Sequence, residues 1–287
     1  MIHSMTGFAA LTRELPAGTV SLELRSVNHR YLDVQFRMPE EFRAFEPAMR
    51  EAIAARLSRG KVECRVGLTR APDAASLEIS EPLLARLAQL NAQVRARLPG
   101  AAELSVADVL RWPGIFGAEA LPAEALREGF LALLADAVAE FDATRAREGA
   151  KLTAVLLERV STMETLSAEV APKIPALVAA HQEKLAQRLR DAVATLDEER
   201  IRTEVSMFAT RIDVDEELQR LTTHLSEVRR ILAKGGSVGK RLDFLMQELH
   251  REANTLGSKS VDAGVSQTAM ELKVLIEQMR EQVQNIE

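Results

Sequence analysis

Three short stretches near the start of the chain alternate apolar with polar positions. They are Val20-Ser21-Leu22-Glu23-Leu24-Arg25, Leu32-Asp33-Val34-Gln35-Phe36-Arg37-Met38 and Lys61-Val62-Glu63-Cys64-Arg65-Val66-Gly67-Leu68. A period of two is that of a strand with one buried face. Ser26 to Tyr31 reads as the turn joining the first two strands, and Glu46 to Leu57 has helical spacing. Together they predict a small sheet crossed on one face by a helix. From Pro82 onward the alternation gives way to helical patterns, interrupted at Pro99-Gly100, at Trp112-Pro113-Gly114 and at Pro122.

Two long helical runs follow, Ala123 to Val170 with a break expected near Gly149, and Pro175 to Arg200, separated by Pro172 and Pro175. They predict an antiparallel helical arm. A third run starts at Asp213, where Asp213 and Glu216 have capping-box spacing. It continues through Val214, Leu218, Leu221, Leu225, Val228 and Leu232 in steps of four and three, a coiled-coil-like seam that suits either packing within the chain or a subunit contact. Lys234 to Gly239, with Gly235 and Gly236, ends it. The segment lacks a complete nucleotide-loop pattern and follows a helix, so it reads as a helix terminator. Helices near Lys240 to Leu256 and Gln267 to Ile286 complete the chain. The fold class expected is α+β, with an N-terminal sheet-and-helix domain over 1–120, a helical arm over 121–205 and a C-terminal helical domain over 206–287 that holds the active site.

Composition narrows the class. The 287 residues, 47% hydrophobic and 28% charged, suit a globular chain with more than one core. No secretory leader and no run of eighteen apolar residues is seen, so a cytoplasmic protein without a membrane span is expected. The single cysteine, Cys64, has no intrachain disulfide partner and fits a reducing compartment. A net charge of −5 argues against binding nucleic acid by bulk positive charge. The ends are more balanced than the middle: residues 1–70 carry 11 Lys or Arg against 8 Asp or Glu, and residues 200–287 carry 13 against 14.

The last two helices hold the candidate chemistry. Leu242, Leu245, Leu249, Ala253 and Leu256 form an apolar stripe, which puts Glu248, Glu252, Thr255 and Lys259 on one flank and Asp243, Gln247, His250 and Asn254 on the other, with Arg251 facing away. In the final helix Leu272, Leu275, Ile276, Met279, Val283 and Ile286 form the stripe, with Lys273, Glu277, Arg280 and Gln284 on one flank and Glu281 one turn beyond Glu277. Carboxylates gathered from two helices are what a hard divalent cation requires. Arginines beside them are suited to hold phosphates. The same spacing also makes solvated faces and weak surface ion pairs.

Longer motifs favour the first reading. Gly239 to Ser260, reading GKRLDFLMQELHREANTLGSKS, Asp215-Glu216-Glu217-Leu218, Arg220-Leu221 with His224, Glu271-Leu272-Lys273 and the closing IEQMREQVQNIE resemble the C-terminal signature of the YicC family. Met1 to Phe8 and Glu23 to Asp33 resemble its N-terminal motifs, whereas residues from about 75 to 200 match mainly in helical character. The resemblance implies a bacterial, cytoplasmic endoribonuclease that needs Mg²⁺ or Mn²⁺ and assembles into a ring-like homo-hexamer that clamps RNA. It points to Glu248 and Glu252 as metal ligands supported by Glu277 and Glu281, to His224 in catalysis as a proton-transfer group, to Arg251 in catalysis as a phosphate clamp, and to Lys259 and Arg280 on phosphate. His250 stands where that family has asparagine. Arg25, Asn28, His29 and Arg30 around the strand turn suit RNA phosphates, or a capped turn that joins an oligomer contact. At 4% aromatic residues, recognition should rest on phosphate contacts and RNA shape rather than base stacking. The rival class is an oligomeric RNA-binding adaptor that delivers transcripts to a separate RNA-decay nuclease.

Overall fold

The structure, a computed structural model, describes residues 1–15, 18–69, 79–116, 123–192 and 198–287. Pro122, where a break is expected, and residues 193–197 of the Pro175 to Arg200 run lie outside the described residues. The fold is α+β. Four strands, β1 (Gly7–Leu15), β2 (Gly18–Val27), β3 (Leu32–Arg37) and β4 (Gly60–Thr69), form one sheet in the order β1-β2-β4-β3. β2 pairs antiparallel with β1 and β4, and β3 runs parallel to β4. Thus the turn after β2 does not close a hairpin: β4 lies between β2 and β3. The chain gains the parallel partner by crossing through α1 (Glu46–Ala54), whose Met49 and Ile53 are buried against the sheet. A parallel connection needs such a crossover. β1 was not legible as a strand, because Gly7, Ala9 and Ala10 weaken its alternation.

α2 (Glu81–Arg97) and α3 (Val106–Arg111) follow, the latter opened by a Ser105–Asp108 capping box. α4 (Ala123–Val170) is continuous through Gly149, contrary to the expected break. Its first half, with Leu126, Phe130, Leu133 and Phe141, covers the buried face of the sheet. Its second half, with Leu156, Val160 and Met163, enters the C-terminal core. Gly149 serves a close approach instead of a break: a Cβ there would lie 2.1 Å from the Ile2 carbonyl oxygen.

α5 (Ile174–Ala192) packs on α6 (Glu198–Ile212), so the expected pairing of the two long runs is replaced by a pairing with a helix the sequence reading did not separate. α7 (Asp215–Lys234), α8 (Gly239–Lys259) and α9 (Ala263–Val283) then form a three-helix layer. Val214, not Asp213, precedes the first turn of α7. Asp213 Oδ1 accepts from the Asp215 amide at 3.0 Å and no capping box forms. Leu218, Leu221, Leu225, Val228 and Leu232 are all buried in the core shared with α4, α8 and α9, so the seam is used within the chain and is not free for a subunit contact. No helix among the described residues is long and apolar enough to cross a membrane.

The two ends of the chain meet within one molecule. Ser4 bridges Ile286, the Met5 amide donates to Asn285 O at 2.8 Å and the Glu287 amide donates to His3 O at 3.0 Å. This short pairing ties the C-terminal helical layer to the sheet.

Candidate active site

α7 and α8 form a helical hairpin joined by Gly235 to Val238. Gly235 and Gly236 have φ of 68° and 88°, a region that glycine enters without steric cost. In the hairpin each core residue drags its predecessor onto one flank. On α7 that flank carries Glu217, Arg220 and His224, each one position before a buried leucine (Leu218, Leu221, Leu225). On α8 it carries Glu248, Glu252 and Thr255, before Leu249, Ala253 and Leu256. Antiparallel helices are related by a twofold axis across them, so like flanks meet.

The result is a cluster of three: one ring nitrogen of His224 and one carboxylate oxygen from each of Glu248 and Glu252 lie within 4.8 Å of one another. Among the described residues no other group of three His, Cys, Asp or Glu is so arranged. His224 and Glu248 are half-buried, and Glu252 is only 3% exposed. The nearest cation to Glu252 is Arg220, with Nη1 at 3.7 Å from Oε1, an ion-pair separation too long for a hydrogen bond. A buried carboxylate so thinly paired is in want of a cation.

Farther along the flank, Lys259 Nζ is 2.8 Å from Glu217 Oε1 and donates to Asp213 O at 3.0 Å. Its ammonium is therefore engaged within the protein, against the expectation that it holds phosphate. Glu217 is 5% exposed and its Oε2 has no hydrogen-bond partner. Neither Glu217 nor Arg220 was singled out from the sequence for a role. The signal that would have found them is their position one residue before a seam leucine, the same as that of His224.

The remaining expected residues lie elsewhere. Asp243 follows Leu242 and Arg280 follows Met279, so these belong to the opposite flanks of α8 and α9, which also meet: Arg280 Nε is 3.7 Å from Asp243 and Nη1 is 3.9 Å from Glu277. Glu277 is thus placed on the far side of α8 from Glu248 and Glu252, and Glu281 is exposed. Neither joins the cluster within one chain. Arg251 is exposed on the outer face of α8. At the strand turn, Asn28 Nδ2 donates to Gln284 O at 2.8 Å, tying the turn to the end of α9. The Arg30 guanidinium stacks 5.2 Å from the Tyr31 ring centroid, and Arg25 is exposed on the open face of the sheet.

A basic and acidic knot at the far end of the hairpin is separate from the cluster. Arg230 and Arg241 both bond Glu227, and the Arg230 hydrogen bonds foremost hold its carboxyl down at about 2. Cys64, by contrast, is inert, its thiol pushed up to about 12 by burial.

Two family models of one endoribonuclease class together cover nearly the whole chain. Residues 2–154 match the family model described as the endoribonuclease YicC-like N-terminal region, and residues 170–287 match the C-terminal one. The chain belongs to the YicC-like endoribonuclease family. It is 43% identical to a probable endoribonuclease YicC of Haemophilus influenzae over 288 aligned residues, covering 100% of each chain. It is 28% identical to a probable endoribonuclease YicC of Clostridioides difficile, again over 100% of each.

Proposed function

We propose that this chain cleaves RNA internally with a divalent cation held by His224, Glu248 and Glu252. The observation that carries the reading is the convergence of these three ligand atoms within 4.8 Å around a carboxylate buried to 3% exposure. The donor set fits the group. Two carboxylates suit Mg²⁺ or Mn²⁺, and the added imidazole nitrogen favours Mn²⁺ over the oxygen-seeking Mg²⁺.

A divalent ion there supplies Lewis acidity toward a phosphate oxygen and activates water near neutral pH. The protein's own part is geometric and electrostatic. Glu252, fixed by burial between α7 and α8, is the rigid ligand. Glu248, one turn earlier and half-buried, is the more accessible carboxylate ligand, and the oxygen that it leaves off the cation would take the proton of the attacking water. His224 brings α7 into the same site, so a shift of one helix against the other would open it. Arg251, exposed on α8, and Arg25 and Arg30 on the sheet side are open to flanking RNA phosphates, whereas Arg280 reaches them only by leaving Asp243 and Glu277.

We further propose that the working unit is a homo-oligomer, a hexamer by resemblance, acting in the cytoplasm. Phe244, Met270 and Val274 support an apolar subunit contact, since they are exposed on the outer faces of α8 and α9 while the seam of α7 is covered within the chain. Light scattering at working concentration tests this, and a monomer would refute it.

The catalytic reading is tested by cleavage of an end-labelled structured RNA with Mg²⁺, Mn²⁺ or EDTA, beside a folded double variant Glu248→Gln, Glu252→Gln. Metal-dependent internal cuts should vanish in the variant, a fall of at least about 100-fold. Cutting that survives would move the chemistry elsewhere. RNA binding with no cleavage under either metal would make the adaptor reading the better one.

A further inference from the structure

Resting on that metal reading, a further residue of the site follows from the surroundings of Glu252. Four cations of α7 and α8 are held by protein groups away from Glu252: Arg229 is bonded to Glu164 and Ser161, Arg230 and Arg241 to Glu227, and Lys259 to Glu217 and Asp213. Arg220 differs. One guanidinium nitrogen is bonded to Glu216 on the solvent side, and the other stands 3.7 Å from Glu252 at the edge of the cluster, beyond hydrogen-bond reach. Its side chain is 49% exposed, so the fork is open to solvent where Glu252 is not.

We propose that Arg220 is the phosphate-binding residue of the active site, its guanidinium taking the non-bridging oxygens of the phosphodiester that is cut while Glu216 orients it. Three features support the assignment. Arginine presents a planar fork that matches phosphate oxygens in pairs. Its position beside Glu252 puts a phosphate that it holds next to the cation that Glu252 holds. And the pairing is exchangeable: without the cation Arg220 offsets the buried charge of Glu252, and with the cation present that task passes to the metal and the guanidinium is free for substrate. Arg251, assigned this role from the sequence, is turned to the outer face of α8, and Lys259 is engaged by Glu217.

The exchange has a consequence that a merely structural arginine would not share. Arg220 is a like charge beside the metal site, so removing it should leave Mn²⁺ binding intact or tighten it, by up to about tenfold. The test uses the full chain, with Mn²⁺ titrated calorimetrically in the absence of RNA and single-turnover cleavage of an end-labelled hairpin RNA measured in saturating Mn²⁺. Arg220→Gln should cut about 100-fold more slowly or worse, with Mn²⁺ affinity equal to or above that of the unaltered protein. Arg220→Lys should recover part of the rate, because the charge is kept and the fork is lost.

Cleavage by Arg220→Gln within about threefold of the unaltered rate would overturn the proposal, as would weakened Mn²⁺ binding, which marks a support for the ligands. Should Arg220→Gln fail to fold, Arg220→Lys carries the test: slowed cleavage at unchanged Mn²⁺ affinity supports the assignment and an unchanged rate refutes it. Glu252→Gln separates the two layers of argument. If it leaves Mn²⁺ binding and cleavage intact, the metal site itself is wrong and the Arg220 proposal falls with it; if it abolishes both, only the Arg220 variants decide.

Discussion

Arg145 is the largest fully buried side chain among the described residues, at 1% exposure. Its Nε donates to Ser4 O at 2.7 Å, Nη2 bonds the Glu287 carboxylate and Nη1 reaches Arg56 O at 3.4 Å. From the sequence it is one arginine in a long charged helix, and nothing in its spacing separates it from solvated neighbours such as Arg147. Only the arrival of both chain ends makes its site a buried one. Arg145→Met should destabilise by about 3–5 kcal/mol, because it strands the Glu287 carboxylate without its partner. Urea unfolding checks this, and a double change that also replaces Glu287 with Gln should recover part of the loss. The residues of the candidate site divide in the same way. Glu248 and Glu252 were legible because two carboxylates four apart on an amphipathic helix share a flank. The buried state of Glu252 was not, since it depends on α7 lying over that flank.

Between elements, the decisive geometry is which flank of one helix meets which flank of the next. Residues one before the core stripe meet across α7 and α8, and residues one after it meet across α8 and α9. That is why His224 joins Glu248 and Glu252 while Glu277 pairs through Arg280 toward Asp243. Both stripes were readable, so the pairing followed from them once the helices were known to be antiparallel neighbours. Within one chain α9 adds no carboxylate to the cluster, because Glu277 is on the flank that faces away from it.

At Gly149 the logic of helix propensity reverses. Replacing an exposed mid-helix glycine by alanine normally gains about 1 kcal/mol. Here the new Cβ would meet the Ile2 backbone, and Gly149→Ala should instead lower stability by about 1–3 kcal/mol. The melting temperature reads the sign directly. A rise would show that the N-terminal segment does not rest on α4.

Across the whole molecule, α4 passes through both cores and the paired chain ends pin one core to the other. Glu287 is central to that pin. Burial pushes its carboxyl upward, but hydrogen bonds from Ser58 and the Arg145 guanidinium outweigh this and leave it below the ordinary glutamate value. A carboxylate with a lowered folded value adds stability that is complete above the unfolded value of about 4.3 and is lost as pH falls through the folded value. Acid should therefore loosen the terminal pairing. Hydrogen exchange at the amides of Ser4 and Met5 should accelerate below about pH 4 before the sheet amides do, and Glu287→Gln should flatten that dependence. Equal protection of both groups through the acid range would refute a separable latch.

What the sequence determined by itself was the local periodicity: strands β2, β3 and β4, the crossing helix, the stripes of α7, α8 and α9, and through them the flank on which each carboxylate stands. These are set by side chains a few residues apart, whose directions the backbone repeat dictates. Tertiary structure alone decided the insertion of β4 between β2 and β3, the continuity of α4 through Gly149, the meeting of the chain ends at Arg145 and the placing of Arg220 beside Glu252. Each depends on contacts between segments far apart in the chain, where the partner that buries or neutralises a group cannot be read from the group's own neighbours.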